Sequence, residues 1–564
     1  MKTIIVGGVA GGATAAARLR RLDEHAEIIV LERTGYVSYA NCGLPYYIGG
    51  VIQNPAALTL QTPESFYRRL RIDVRTRNEV LALHPERKTV SVRRLTDGTE
   101  YEESYDTLIL SPGGKAIRPP VDGLDSEGVF TLRTVEDTFR IHEFIETRQP
   151  KRALVLGGGF IGLEMAENLI HRGMETTLVQ LDNQVMPPLD YDMACGVHAY
   201  LRQNGLKLML RNSVTAITPN RNSLSVTLAD GQTVCADLVV LAVGVVPETH
   251  LAKEAGLTLG LRDAIVVNDH MQTSVPDIYA VGDAVQIQNA VTGKAGLIPL
   301  AGPANKQGRV AADNICGIPS KFRGTQGSAV MKVFNMTVAT TGINEKTAKA
   351  ENISYDKVVT FSPSHATYYP GATDMTIKTL FDPADGRILG AEIVGFEGVD
   401  KRIDDLAIAI RHRLTSEELT ELELSYAPPY SSAKDPVNMA GYVIENIRNG
   451  IVRQCHWQEY AALPTDGSIT RLDVRFAEDI SASPMPDTVA IPLEVLRDRI
   501  GELDPAKPVY VNCYSGQRSY LACRLLSQHG FTCYNLSGGA RFYQQIMQEQ
   551  RFDETPRHTC GAPV

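Results

Sequence analysis

The chain has 564 residues, 43% hydrophobic and 21% charged, with a formal net charge of −9 and a pI near 5.8. Its length predicts roughly three or four domains, and the composition is that of an ordinary soluble globular protein. The acidic balance argues against a nucleic-acid partner, no apolar run approaches membrane-spanning length, and nine irregularly spaced cysteines do not make a secreted disulfide framework.

The N-terminus enters a strand at once, Thr3–Val6, so no signal peptide and a cytoplasmic location are expected. The turn Gly7-Gly8-Val9-Ala10-Gly11-Gly12 follows, then an Ala/Arg-rich helix from Ala13. A second strand, Glu27–Leu31, ends at Glu32, 25 residues after Gly7. This is the βαβ dinucleotide pattern: small residues let backbone approach a pyrophosphate at a helix N-terminus, and the terminal acid binds ribose hydroxyls. Val9 departs from it at the second glycine position.

Cys42 comes next, in the run Ser38-Tyr39-Ala40-Asn41-Cys42-Gly43-Leu44-Pro45-Tyr46, and it is the only cysteine in the first 194 residues. Flavin reductases with an internal disulfide need a second cysteine a few residues along, and residues 43–47 offer none. If Cys42 works on a flavin, its sulfur pairs with a small thiol, a persulfide sulfur or an oxygen atom. The alternative is a buried structural cysteine, since free Cys packs like a small hydrophobe.

Residues 106–113 read as a strand returning to the first sheet. A second fingerprint spans Arg152–Leu169: strand Ala153–Leu156, then Gly157-Gly158-Gly159-Phe160-Ile161-Gly162 with all three glycine positions kept, and Glu164 after it. Strand Thr176–Leu181 places Gln180 23 residues beyond Gly157, where an acid favours NAD and an arginine NADP. Gln180 does neither; Asp182 is close and no basic residue follows, so the reading leans to NADH with NADPH left open. Leu238–Pro247, with Gly244, closes this unit. Thr273–Ala284 puts Asp283 at a strand end, positioned for a ribityl chain or as a helix N-cap. Two such units imply two nucleotides, with FAD in the first. The expected domains are a discontinuous FAD domain (1–148 and 266–320) enclosing an NAD(P)H domain (149–265).

Residues 321–450 read as an α/β dimerisation domain, with strand Met375–Phe381 and helix Asp404–Arg413, followed by a linker at 451–465 around Trp457. The last domain, 466–552, has strand Arg471–Arg475, the stretch Ala490–Leu493, a helix to about Ile500, and strand Val509–Asn512. That strand runs into Cys513-Tyr514-Ser515-Gly516-Gln517-Arg518-Ser519 and an Ala/Leu-rich helix. N–H groups of such a loop converge on the sulfur at a helix N-terminus, favouring a thiolate or anionic persulfide. Similar phosphatase loops are a residue longer, so this one suits sulfur. In the tail, 553–564, Cys560 is a candidate for disulfide exchange; His558-Thr559-Cys560 is too isolated for a metal site, and no metal is expected.

With these residues in hand, the chain resembles the two-dinucleotide-fold flavoprotein disulfide reductases. Within them it is similar to the coenzyme A disulfide reductases and their rhodanese-fused relatives, the NADH-dependent persulfide reductases. The marks are Gly7–Gly12, Ser38–Pro45, residues 364–371 and residues 426–435; Leu472–Arg475 and Asn535–Gly539 resemble a rhodanese domain. The implied fold class is α/β: two nested Rossmann-like domains, an α/β dimerisation domain and a rhodanese-like α/β domain. The resemblance implies that Cys42 is the single redox cysteine, attacking coenzyme A persulfide, coenzyme A disulfide or polysulfide as a thiolate whose pKa helix dipoles, adjacent donors and the flavin lower. The implied flavin set is Gly7, Ala10, Gly11, Gly12, Glu32, Arg33, Asn41, Val80, Ser111, Gly113 and Asp283. The nicotinamide set is Gly157, Gly159, Ile161, Gly162, Gln180 and Gly244.

Ser38 and Asn41 are implied to line the flavin and substrate site, and Arg18 and Arg21 to contact coenzyme A phosphates. Leu70 stands where some relatives carry a basic contact, for which Arg71 can substitute. Tyr368, Tyr426 and Lys434 are implied to be presented by the partner of a homodimer, the tyrosines as proton donors or charge stabilisers. Cys513, with Arg518, carries sulfane sulfur; Phe476–Thr488 lacks the usual His-Ile-Pro-Gly run, which leaves weak or altered transfer, or a vestigial domain, open. Alternatives are a solvated helix face for Arg18, Arg20 and Arg21, and ordinary interface aromatics for the tyrosines. At the level of function they are an oxidase or peroxidase using a Cys42 sulfenic acid, whose members carry a histidine where this chain has Ala10, or a flavin-bound redox sensor.

Overall fold

The computed structural model describes residues 1–554; the last helix, Gly539–Glu554, takes in the first two residues of the expected tail, and the rest of it, with Cys560, lies outside the described residues. The first parallel sheet runs Ile278–Ala280, Thr107–Leu110, Lys2–Val6, Glu27–Glu32, Asp73–Thr76. Its strands are apolar on both faces (Ile4, Ile5, Ile29 and Val30 are all buried), as a sheet covered on each side requires. The following helix spans Ala10–Leu22, starting at the glycine turn itself rather than at Ala13. A helix at Ala301–Ile315 packs on it, with Gly308 close against the Gly11 backbone.

The second parallel sheet runs Lys207–Met209, Glu175–Val179, Arg152–Leu156, Leu238–Leu241, Val129–Thr131. Val129–Thr131 sits in this sheet, ahead of the expected boundary at 148, because it pairs in parallel with Leu238–Leu241. Both sheets belong to one compact unit, Met1–Val185 with Gly205–Gly327.

The other unit takes Met186–Asn204 and the chain from Ser328 onward. Helix Tyr191–Gln203, expected within the nicotinamide domain, thus groups with the C-terminal half. Charge explains its place. The fully buried Lys378 ammonium lies 2.9, 2.7 and 2.5 Å from carboxylates of Asp190, Asp192 and Glu345. These acids are the one His/Cys/Asp/Glu cluster with metal-binding spacing among the described residues, and the ammonium already bridges all three. His198 and Arg202 of the same helix hold the buried Glu549 carboxylate.

An antiparallel sheet carries this unit's middle: Ala329–Val333, Met336–Gly342, Ile388–Gly395, Asp374–Phe381, Asp356–Pro363. The helix expected at Asp404–Arg413 begins earlier, spanning Val399–His412. The last sheet is parallel, in the order Arg453–Cys455, Cys533–Leu536, Val509–Asn512, Thr470–Asp473, Val489–Ala490. Residues 451–465, expected as a linker, are therefore part of this domain. Arg453–Cys455 is its edge strand, and Cys455 and Tyr460 pack in a core cluster with Leu536 and Tyr543.

Candidate active site

Glycine packing builds the first cradle. A Cβ on Gly7 would stand 2.1 Å from the Ser111 carbonyl oxygen, and one on Gly12 1.9 Å from that of Gly7. The helix start therefore sits directly on the strand end, where no side chain caps its N–H groups. Glu32 closes the turn, accepting from the N–H groups of Gly8 and Thr34, each at 2.9 Å. A cavity of 470 Å³ opens there, lined by Gly7, Ala10, Gly11, Glu32, Arg33, Asn41, Val80, Ser111, Gly113, Asp283 and Cys42. Of the flavin set, Gly12 alone is absent from the lining; it acts by permitting the packing beneath.

Two features of the cavity suit an elongated polar cofactor. The Asn41 side-chain oxygen is buried without a hydrogen-bond partner, and such a group is costly unless a ligand satisfies it. Asp283 faces the cavity and pairs with Arg133 at 2.8 Å. It caps no long helix, because Gly282–Ala284 is a single 3-10 turn capped by Val281.

The second fingerprint repeats the same construction. A Cβ on Gly162 would lie 1.9 Å from the Gly157 oxygen, and Gly158 N–H donates to Gln180 Oε1 at 2.8 Å, as Gly8 does to Glu32. Gly159 is the N-cap of helix Phe160–His171, with Ile161 in its first turn. Gly244 holds φ +111°, a backbone region open to glycine.

Cys42 lies in the helical turn Asn41–Gly43, exposed on the cavity wall. The protein's own groups do not lower its thiol pKa as expected. Desolvation of the sulfur pushes it up, the Glu164 and Asp283 carboxylates push the same way, and Arg133 alone opposes them. Glu164, from the second fingerprint helix, is itself pushed up to about 7 by burial and by Glu167, while a hydrogen bond from Tyr46 pulls it back. Glu164, Tyr46 and Arg133 were given no role by the sequence. A carboxyl just past the third glycine of the motif was the available signal for Glu164; Arg133 and Tyr46 gave none.

The basic candidates divide. Arg18 is ion-paired to Asp313 at 2.7 Å. Arg20, expected on a solvated face, is buried and donates to five backbone carbonyls, those of Asp23, Glu24, Ala26, Leu70 and Arg71. Arg21 and Arg71 are exposed, with Arg71 over the Tyr67 ring at 5.1 Å. Ser38 takes a left-handed φ of 48° and ties its N–H to the Gly8 carbonyl at 2.8 Å; its side chain lies off the cavity lining.

In the other unit, the Tyr368 and Tyr426 hydroxyls meet at 2.8 Å, both side chains exposed. A buried brace sets their loops: Arg402 bonds Ser431 and Asp435, and Asp435 caps helix Pro436–Arg448. Exposed Lys434 follows this brace, lining a cavity of 380 Å³ together with Gly516 and Gln517 of the C-terminal loop.

The Cys513 sulfur, 1% exposed, accepts from Gly516 N–H at 3.1 Å and from the Ser519 hydroxyl at 3.3 Å. Arg518 leans on Asp479 at 3.3 Å and over the Phe476 ring, leaving its Nη1 buried and unpartnered. Two donors converging on one sulfur suit an anionic sulfur species.

Residues 1–308 match the family described as Pyridine nucleotide-disulphide oxidoreductase, 328–436 its dimerisation domain, and 456–545 a Rhodanese-like domain. The chain belongs to the pyridine nucleotide-disulphide oxidoreductases. It is thus an enzyme, a flavoprotein reductase that uses FAD and NAD(P)H, with a C-terminal rhodanese-like domain. The reductase is 38% identical to the coenzyme A disulfide reductase of Staphylococcus aureus, over 78% of this chain and 99% of that protein. It superposes on the crystal structure of reduced Bacillus anthracis CoADR-RHD with a TM-score of 0.95 at 47% identity, covering 97% and 98% of the two chains. A NAD-dependent persulfide reductase from A. fulgidus gives 0.91 at 37%, covering 96% and 100%. No helix among the described residues of the reductase is long and apolar enough to cross a membrane.

Proposed function

We propose that this reductase cleaves sulfur–sulfur bonds of coenzyme A-linked substrates, the disulfide or the persulfide, and of polysulfide, through Cys42. One observation carries the reading. Cys42 is a free, exposed cysteine on the wall of the glycine-built cavity, and a second free cysteine, Cys513, sits in a donor-lined loop of the same chain. The names of the relatives support the substrate class.

When bound, FAD supplies the two electrons drawn from the nicotinamide. Gly7 and Gly11 would seat its pyrophosphate over the packing that Gly12 permits, Glu32 would hold a ribose, and Asp283 the ribityl chain. Cys42 attacks the substrate S–S bond, forming a mixed disulfide or persulfide and expelling a thiolate or hydrosulfide. Tyr368 and Tyr426, presented by the partner of a homodimer, supply a proton or stabilise that departing charge. Exposed Arg21 and Arg71, with Lys434, hold phosphates; Arg18 serves only if its pair with Asp313 opens. Gln180, with acidic Asp182 close by and no base, favours NADH over NADPH. Cys513 carries sulfane sulfur towards coenzyme A or Cys42. Eight free cysteines among the described residues fit a reducing compartment such as the cytoplasm.

The test is anaerobic turnover with coenzyme A persulfide, coenzyme A disulfide, polysulfide and peroxide, each with both nicotinamides. Cys42→Ser is expected to abolish thiol or hydrosulfide release while flavin stays bound. Unchanged turnover in that variant, or a preference for peroxide, overturns the proposal.

A further inference from the structure

Two cysteines of the C-terminal domain have no place in the chemistry above. Cys523 lies on helix Gln517–Gln528 and Cys533 opens strand Cys533–Leu536; both are buried, at 1% and 5% exposure. They share an apolar cluster with Cys513. The Cys533 sulfur lies 3.2 Å from the Cys523 carbonyl oxygen and 3.2 Å from the Ser527 hydroxyl. Each thiol is also the largest influence on the other's protonation. Ser527 and Thr532 beside them are exposed, so a thin polar layer separates the pair from solvent.

We infer that Cys523 and Cys533 form a second redox site of this chain, a dithiol that a small polysulfide oxidises reversibly to an intradomain disulfide. The chemistry distinguishes the two sulfurs. The neighbouring Cys523 thiol, with Ser527 and nearby arginines, brings Cys533 down to about 7, while Cys523 is pushed up. Cys533 is therefore the attacking thiolate at neutral pH, and Cys523 holds its proton until the second step. The Cys533 sulfur attacks an S–S bond of the polysulfide, forming a Cys533 persulfide and expelling a shorter polysulfide anion. Cys523, losing its proton, then attacks the Cys533 sulfur, forming the protein disulfide and expelling hydrosulfide, which takes that proton. The two cysteines lose two electrons and the polysulfide S–S bond gains them. The disulfide pins the helix leading out of the Cys513 loop to the strand leading into Asn535, whose amide donates to the Gly516 carbonyl at 3.2 Å. Oxidation thereby stiffens the loop that holds Cys513. A small thiol such as dithiothreitol restores both cysteines. The site stands independently of the route proposed for Cys513 or Cys42.

Trypsin separates the three cysteines, because Arg518, Arg524 and Arg541 place Cys513, Cys523 and Cys533 on different peptides. The full-length flavoprotein is treated with sodium tetrasulfide, alkylated with iodoacetamide, digested and mapped by mass. The expected product links the peptides 519–524 and 525–541, two hydrogens lighter than their sum, and disappears after dithiothreitol. Cys513→Ser should still form it, and Cys523→Ser should stop at a Cys533 persulfide. Full alkylation of both cysteines at a dose that persulfidates Cys513 overturns the inference, as does a link from either one to Cys513 instead. If the variants fail to fold, the wild-type map alone decides.

Discussion

Glu164 titrates where the enzyme works, and that has a measurable sign. Its carboxyl is pushed up to about 7 in the fold, against an ordinary value of 4.5. The folded protein therefore prefers the protonated form, and stability is lost as pH rises from the unfolded value through the folded one. At about 1.4 kcal/mol per pH unit, the cost reaches roughly 1 kcal/mol at pH 5 and roughly 3 kcal/mol at pH 8. Glu164→Gln removes the titration, so the stability difference between variant and wild type should shift in the variant's favour by about 2.5 kcal/mol from pH 5 to pH 8. Urea unfolding in excess FAD, followed by flavin fluorescence, reads that difference. The same substitution removes a carboxylate that raises the Cys42 thiol, so iodoacetamide should label Cys42 faster in the variant at pH 7–8 and equally at pH 5. A stability difference that is flat across this range, or a Cys42 labelling rate unchanged at pH 8, refutes the placement of a buried, titrating carboxyl beside this sulfur.

Gly12→Ala pushes a Cβ to within 1.9 Å of the Gly7 carbonyl; overpacking of about 1–3 kcal/mol should cut flavin occupancy on the order of tenfold or more, read as absorbance per chain. Gly159→Ala, whose Cβ meets nothing within 4 Å, should keep its flavin and is the control. Lys378→Met leaves Asp190 and Asp192 buried without their cation and Glu345 with Lys357 as its one buried partner. It should destabilise the C-terminal unit by about 3–5 kcal/mol in chemical denaturation, with Lys378→Met/Glu345→Gln partly restored.

What the sequence made legible was local and backbone-driven. Both glycine turns, the strands flanking them and the Cys513 loop follow from patterns that span a few residues, where a missing Cβ or a fixed spacing dictates geometry. The Glu32–Gly8 and Gln180–Gly158 hydrogen bonds show the same economy, since a strand end and the turn beside it are close in the chain. Long-range charge pairing stayed hidden. Nothing near Arg133 announces Asp283, and nothing near Asp190 announces Lys378. Arg20 looked like one more surface base, although carbonyls from two separate segments enclose it. The edge strand Arg453–Cys455 was concealed for another reason: three residues with a charged start read as loop until Cys533–Leu536 is there to pair with them.

The excursion of Met186–Asn204 into the C-terminal unit also bears on how the chain is made. Helix Tyr191–Gln203 leaves the ribosome long before Lys378, the cation that its acidic start requires. At ordinary elongation speeds the wait is roughly 9–35 s. Throughout it the apolar side of that helix, with Met193, Val197 and Leu201, lacks the later-synthesised strands and helices of its own unit. Nascent chains stalled in this interval are where a chaperone has an apolar helix to shield.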